Sequence, residues 1–258
     1  MLGAIVIATF TGLIFNEFQT GHLSSSGTLV DTKPTSLQQV NFSFAPDEGR
    51  YGRIYGFGAL LSMLHDEQHE RHRAAFNEAE IGLFYGYDWQ LGDDFVFFNG
   101  AGWRYDPLIG YDGDYRVTNW KYCYFQKLKN PYLTPYWDLQ GLAEPSKYVR
   151  IRLGLERSFA LRDDLTLTLF SEAVWGDSRR FVSRYGEKPD RRFLGGTFIS
   201  MTNGVRLDWR FYESWSLWFR VREFTTVDPQ ARRCEKRRSE YWRVPDATLI
   251  AIGTTYHF

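Results

Sequence analysis

Only two cysteines, Cys123 and Cys234, occur in the 258 residues. That number excludes a disulfide scaffold, and their separation excludes a cysteine metal knuckle. Their differently patterned segments favour two unpaired thiols over a single bridge. Charge of either sign is not in excess: Lys+Arg and Asp+Glu both count 31, so no global field draws the chain to nucleic acid. Long hydrophobic runs are absent as well. With no apolar stretch of helical membrane-spanning length and a mean hydropathy of −0.40, a helical membrane protein is excluded. Disorder is excluded by a hydrophobic share of 43% against 24% charged. A helical period is missing throughout, save for a stretch around His65 to Glu78.

Aromatic residues and glycine are plentiful. Nine Trp, 16 Tyr and 21 Phe make 18% of the chain, beside 23 Gly. This pairing suits strands with bulky outer faces and closely packed inner ones. Period-two alternation runs through the sequence. Ile81, Leu83, Tyr85, Tyr87 and Trp89 share one face, and Glu80, Gly82, Phe84, Gly86 and Asp88 the other. The split recurs where Val149, Ile151, Leu153 and Leu155 oppose Arg150, Arg152, Gly154 and Glu156. It recurs again where Ile199, Met201, Val205, Leu207, Trp209 and Phe211 oppose Ser200, Thr202, Gly204, Arg206, Asp208 and Arg210. Trp215, Leu217, Phe219 and Val221 oppose Ser216, Trp218, Arg220 and Arg222 in the same way.

These patterns predict an all-β chain of twelve strands, at residues 4–20, 35–46, 51–64, 76–89, 93–105, 115–126, 132–142, 147–158, 164–176, 197–211, 214–225 and 246–258. Connections alternate between short and mostly long, with 143–146 a short exception in the long set. A β-sandwich has no reason to keep that alternation. A transmembrane barrel has one, because short periplasmic turns alternate with longer outside loops and an even strand count returns both ends to one side. The expected fold is therefore a single domain, residues 1–258, forming a twelve-stranded antiparallel transmembrane β-barrel. Residues 1–15 make a poor export signal, with no Lys or Arg ahead of the apolar stretch. The expectation is that Gly3 to Thr20 forms the first strand and that a true signal lies upstream or has been removed.

The end of the chain is its most specific motif. Thr248, Ile250, Ile252, Thr254, Tyr256 and Phe258 alternate up to a terminal phenylalanine. The segment Ala247 to Phe258 resembles the closing strand of bacterial outer-membrane β-barrel proteins. That resemblance implies residence in the bacterial outer membrane and recognition of Phe258 by the barrel-insertion machinery; it extends to no narrower family. Trp89, Trp209, Phe211, Trp215 and Phe258 fall near short turns, as one interfacial girdle would, and Trp103, Tyr105, Trp175 and Trp242 fall near long loops.

Catalytic signatures are weak. His65, His69 and His72 with Asp66 loosely resemble a zinc-binding helix motif, but the stretch is polar on every side and runs straight into a strand, so no metal or other cofactor is expected. Glu78 and Glu80 share a strand face at a spacing a glycosidase would use, yet the barrel pattern makes pairing with inner arginines the better reading. No strand histidine has a serine two residues away, as outer-membrane lipid hydrolases would require. No catalytic residue is assigned, and the reading leans away from an enzyme.

The charged face carries the functional expectation. Arg150, Arg152, Arg206, Arg210, Arg220 and Arg222, with Glu78, Glu80, Asp88, Glu156, Glu172 and Asp208, are expected to line the lumen, since the opposite register costs about 2–4 kcal/mol for each Arg at the bilayer midplane. Two outcomes stay open: a salt-bridged plug, or an arginine-lined path favouring anionic solutes. A channel is the first reading. A binding or structural barrel acting through basic outer loops is the second, and a lipid or glycan hydrolase the third. Arg179, Arg180, Arg184, Arg191 and Arg192 in one loop, and Arg232 and Arg233 in another, are candidate phosphate binders. The expected partners are outer-membrane lipid and lipopolysaccharide, with no nucleic acid.

Overall fold

The computed structural model describes residues 8–20, 22–23, 29–31, 34–63, 77–106, 108–109, 119–142, 148–177, 196–229, 232 and 246–258. Twelve strands carry the fold: β1 (Ala8–Gln19), β2 (Thr35–Pro46), β3 (Arg53–Met63), β4 (Asn77–Gln90), β5 (Val96–Asp106) and β6 (Asn119–Lys129), then β7 (Thr134–Leu142), β8 (Tyr148–Arg162), β9 (Leu165–Asp177), β10 (Gly196–Trp209), β11 (Trp215–Thr226) and β12 (Asp246–His257). Each pairs antiparallel with its chain neighbour. β12 closes the circuit on β1, from Leu13 opposite His257 to Gln19 opposite Ala251. One closed antiparallel sheet results, so no edge is left unpaired.

Followed round the circuit, the strand registers return to β1 displaced by about 16 residues. Twelve strands with that stagger tilt by about 45° and give a backbone radius of about 12 Å. Short turns gather at one end, at residues 47–52, 91–95, 130–133, 163–164 and 210–214, and the long connections leave from the other.

The alternation places apolar side chains outside. Ile14, Phe18, Val40, Ile81, Tyr85, Leu153, Leu169, Phe219, Ile250 and Ile252 are all exposed. In water so continuous an apolar surface would collapse against something; in lipid it is the surface the fold requires. Two facing sheets meeting over a greasy core are ruled out by this placement.

Three local expectations need correction. β8 runs to Arg162 and meets β9 through only Asp163 and Asp164, whereas the alternation suggested an end at 158. A register shift between Ala160 and Arg162 absorbs the extra residues, which hides the strand's true end from a period-two count. β10 stops at Trp209, so Arg210 is not an inner strand residue. It sits exposed in the turn, its backbone N–H donating to Asp164 O at 2.8 Å and its guanidinium Nη2 to Asp163 O at 3.4 Å. Finally, a second shift beside Val174 and Trp175 puts Trp175 opposite Phe198. Phe198 takes the outer face, and Ile199, expected there, is buried instead.

Candidate functional site

Opposite the apolar exterior, the enclosed face is charged, and its charges pair along the wall. Arg220 Nη2 donates to Glu17 Oε1 at 2.5 Å, and Arg222 Nη2 to the Gln19 amide oxygen at 2.8 Å. Arg104 Nη2 donates to Glu80 Oε2 at 2.6 Å. Arg152 Nε reaches Asp138 Oδ2 at 2.7 Å, and its Nη1 lies 3.4 Å from Glu172 Oε1. Arg150, only 1% exposed, lies 3.6 Å from the other oxygen of Asp138. With the strands tilted, these groups come to the half of the lumen nearer the long loops.

Nearer the short turns, Lys127 pairs with Glu156, Lys129 lies 3.6 Å from Asp88, and Arg206 Nε donates to Asp208 Oδ1 at 2.8 Å. Arg222 is the exception in kind, since it is held by a neutral amide where the others meet carboxylates. On the described inner face, cations therefore outnumber acids.

Between these two layers the tilt brings Phe15, Phe57, Phe84, Phe125, Tyr136, Phe170 and Trp218 to about one level. The belt is built in two ways. On the side of β10 to β1, Trp218 is 1% exposed: Phe15 stacks on it at 5.2 Å between centroids, and the guanidiniums of Arg206 and Arg220 lie 4.7 and 5.2 Å from its ring centroid. Its indole fits because Gly253 of β12 lies beneath it, where any Cβ would collide with the ring. On the side of β3 to β7 the rings are only partly covered. Phe57 stacks with Phe84 at 6.0 Å, and Phe98 meets Tyr55 and Phe125, each at 5.7 Å. Phe125 then meets Tyr136 at 6.3 Å, whose hydroxyl donates to Glu172.

Every inner ion pair and ring contact named here joins strands no more than two places apart round the circuit. The side chains lie along the wall.

Of the residues expected to line the lumen, Glu80, Asp88, Arg150, Arg152, Glu156, Glu172, Arg206, Asp208, Arg220 and Arg222 hold the positions just given. Glu78 lies on β4 opposite Leu61, and its side chain is outside the described residues. The sequence reading missed Glu17, Asp138 and Lys127, whose partners sit on strands it could not register. It placed Phe84 and Trp218 on the inner face by alternation but did not pick out the other inner rings. Their signal was a glycine opposite the ring on the next strand, as Gly82 lies opposite Phe57.

Among the candidate phosphate binders, Arg179, Arg180, Arg184, Arg191, Arg192 and Arg233 fall outside the described residues. Arg232 is engaged, donating from Nη1 to Asp246 Oδ1 at 2.8 Å and to the Thr226 carbonyl at 3.2 Å. Cys123 is a buried free thiol, and Cys234 falls outside the described residues, as do His65, His69 and His72. Among the described residues no cluster of His, Cys, Asp and Glu is arranged to hold a metal.

The sequence matches no protein-family model and no curated protein. Solved structures do resemble the fold along its whole length. The COG4313 outer membrane channel from Pseudomonas putida F1 aligns with a TM-score of 0.55 at 9% identity, covering 99% of this chain and 97% of that one. The chain has the fold of an outer-membrane β-barrel. The NanC porin aligns with the barrel at a TM-score of 0.53 and 10% identity, over 95% of this chain and 98% of its own. The KdgM porin, solved in complex with disordered oligogalacturonate, aligns at 0.52 and 10% identity, over 96% and 99%. At these identities the likeness establishes the architecture alone.

Proposed function

We propose that the barrel is a channel for small solutes that favours anions, with Glu80, Asp88, Arg150, Arg152, Glu156, Glu172, Arg206, Asp208, Arg220 and Arg222 lining its path. The observation that carries this reading is that inner side chains pair with neighbours along the wall, which leaves the axis of a lumen of about 12 Å backbone radius clear of the contacts described. A salt-bridged plug would join opposite walls. The sign of the preference follows from the excess of inner cations, among them Arg222, whose direct hydrogen-bond partner is a neutral amide. Glu17 and Asp138 act as counter-ions that fix the guanidiniums in place without cancelling them all. The KdgM porin's occupant is a polyanion, the charge class such a wall would favour.

Planar bilayers under a potassium chloride gradient test the reading directly. Discrete single-channel steps are expected, with a reversal potential displaced toward the chloride equilibrium value. Its displacement should shrink when Arg206, Arg220 and Arg222 are replaced together by Gln. Absence of steps from folded protein across a range of voltages would overturn the channel.

A further inference from the structure

Of the rings in the inner aromatic belt Trp218 is buried, while the others, Phe15 and Phe170 included, are partly exposed, and those of β3 to β7 form the longest continuous run. At Trp218 the ring is sealed by a stacked Phe15 and two guanidiniums. From β3 to β7 the rings of Phe57, Phe84, Phe98, Phe125 and Tyr136 remain partly open to the lumen. Their centroids follow one another at 5.7 and 6.3 Å from Phe98 through Phe125 to Tyr136. Apolar ring surface left facing an aqueous passage is costly unless something covers it during function. Cations flank the same strip. Arg104 sits over Phe57 at 4.9 Å on the long-loop side, and Lys127 lies 5.9 Å from the Tyr136 ring on the short-turn side. Both are tethered to carboxylates, Arg104 to Glu80 and Lys127 to Glu156, so they are held at fixed points above and below the rings.

We infer that this strip is a subsite for small organic carboxylates that carry a flat apolar face, with the face laid on Phe98 and Phe125 and the carboxylate turned to Lys127 or Arg104. The inference rests on the channel reading for its physiological sense, but its chemistry is local to one wall. Aromatic acids and sugar acids both present that combination, the first through a π face and the second through the C–H face of a pyranose ring. Acetate supplies the charge without the face. Such a strip slows and selects a passing solute by contact with one wall, so it works in a bore wider than the solute.

Saturation-transfer NMR on the detergent-solubilised barrel reads binding without requiring conduction. The probes are benzoate, galacturonate, cyclohexanecarboxylate and acetate. Benzoate, galacturonate or both are expected to bind, with saturation strongest on ring protons, and acetate should bind at least tenfold more weakly. Benzoate outcompeting galacturonate assigns the strip to aromatic acids; the reverse order assigns it to sugar acids. Phe98→Leu/Phe125→Leu, which keeps the bulk of the wall, should weaken the preferred acid about fivefold while leaving acetate unchanged. Phe219→Leu on the lipid face should change neither. Equal binding of acetate and the ring acids, no binding of any acid, or full affinity in the double variant would each overturn the subsite. Failure of the channel looks different: no conductance steps, whatever the acids do. Failure of the subsite alone leaves steps and anion preference intact.

Discussion

Asp138 serves two arginines of the neighbouring strand, with Arg152 on one carboxylate oxygen and Arg150 near the other. Asp138 and Arg150 are almost fully buried, so neither charge has water to fall back on. A pair of this kind adds little net stability over an apolar replacement, but removing one member strands the other. Asp138→Ala is therefore expected to cost about 3–5 kcal/mol, read as a lower denaturant midpoint by tryptophan fluorescence. The double change Asp138→Ala/Arg150→Met should recover a large part of that loss. If the single change leaves the midpoint where it was, the carboxylate is not the group holding these guanidiniums. The sequence showed Arg150 and Arg152 as inward by alternation, yet gave no reason to choose Asp138, because a partner on the next strand depends on a register that only the folded turn determines.

Trp218 poses a complementary question at the same scale. Its indole occupies the place a side chain on Gly253 would need, with Arg206 and Arg220 laid over it. Gly253→Val should force the ring toward the lumen and uncouple both arginines from it. The expected signature is a red-shifted, more quenchable tryptophan emission with the barrel still folded. An unchanged spectrum would mean that the wall relaxes around the added methyl groups and that the glycine is not what seats the ring.

Closure of the sheet is decided by β1 and β12. Phe258 and Gly12 exchange both backbone hydrogen bonds at 2.9 Å, so the terminal residue is itself part of the seam. Its ring lies over Gly12 on the outer face and meets Phe10 and Tyr256, each at 6.3 Å between centroids. Phe258→Ala removes those contacts and keeps the backbone pair. A loss of about 0.5–1.5 kcal/mol for each ring pair is expected, with slower folding into lipid vesicles. Running the same variant with and without purified insertion machinery separates two roles. A defect of equal size in both settings assigns Phe258 to closing the seam, and a larger one with the machinery present assigns it to recognition.

Most elements were legible because period-two alternation is a strong signal when one side of a sheet meets lipid and the other meets charge. Where the period slips, legibility ends. The shift beside Trp175 exchanged the faces of Phe198 and Ile199, and the shift near Ala160 concealed the last turn of β8. The inner rings were obscured for another reason. A phenylalanine in the middle of a transmembrane strand reads as lipid-facing until its neighbour in the next strand is known to be glycine. Polar groups on the outer face follow the same logic in reverse: Ser171 donates to Asn203 at 2.7 Å, so the pair satisfies itself where lipid offers no partner.

For the molecule as a whole, the inner charges form a distribution rather than a single site, and its reach depends on salt. Most inner cations lie beside an acid, so their fields cancel within a few ångströms, while the excess of cations over acids, with Arg222 held by an amide, leaves a positive field reaching into the lumen. In 1 M salt the Debye length is about 3 Å, far less than the backbone radius of about 12 Å, so an ion on the axis is screened from the wall. At 0.01 M it is about 30 Å, and the surplus acts across the whole bore. Anion preference should therefore be strong at low ionic strength and fade toward none at 1 M. Arg222→Gln should remove much of the low-salt preference and change little at high salt. A preference that stays constant over that range would place selectivity in direct contacts at a constriction, and the long-range field of the wall would then have no part in it.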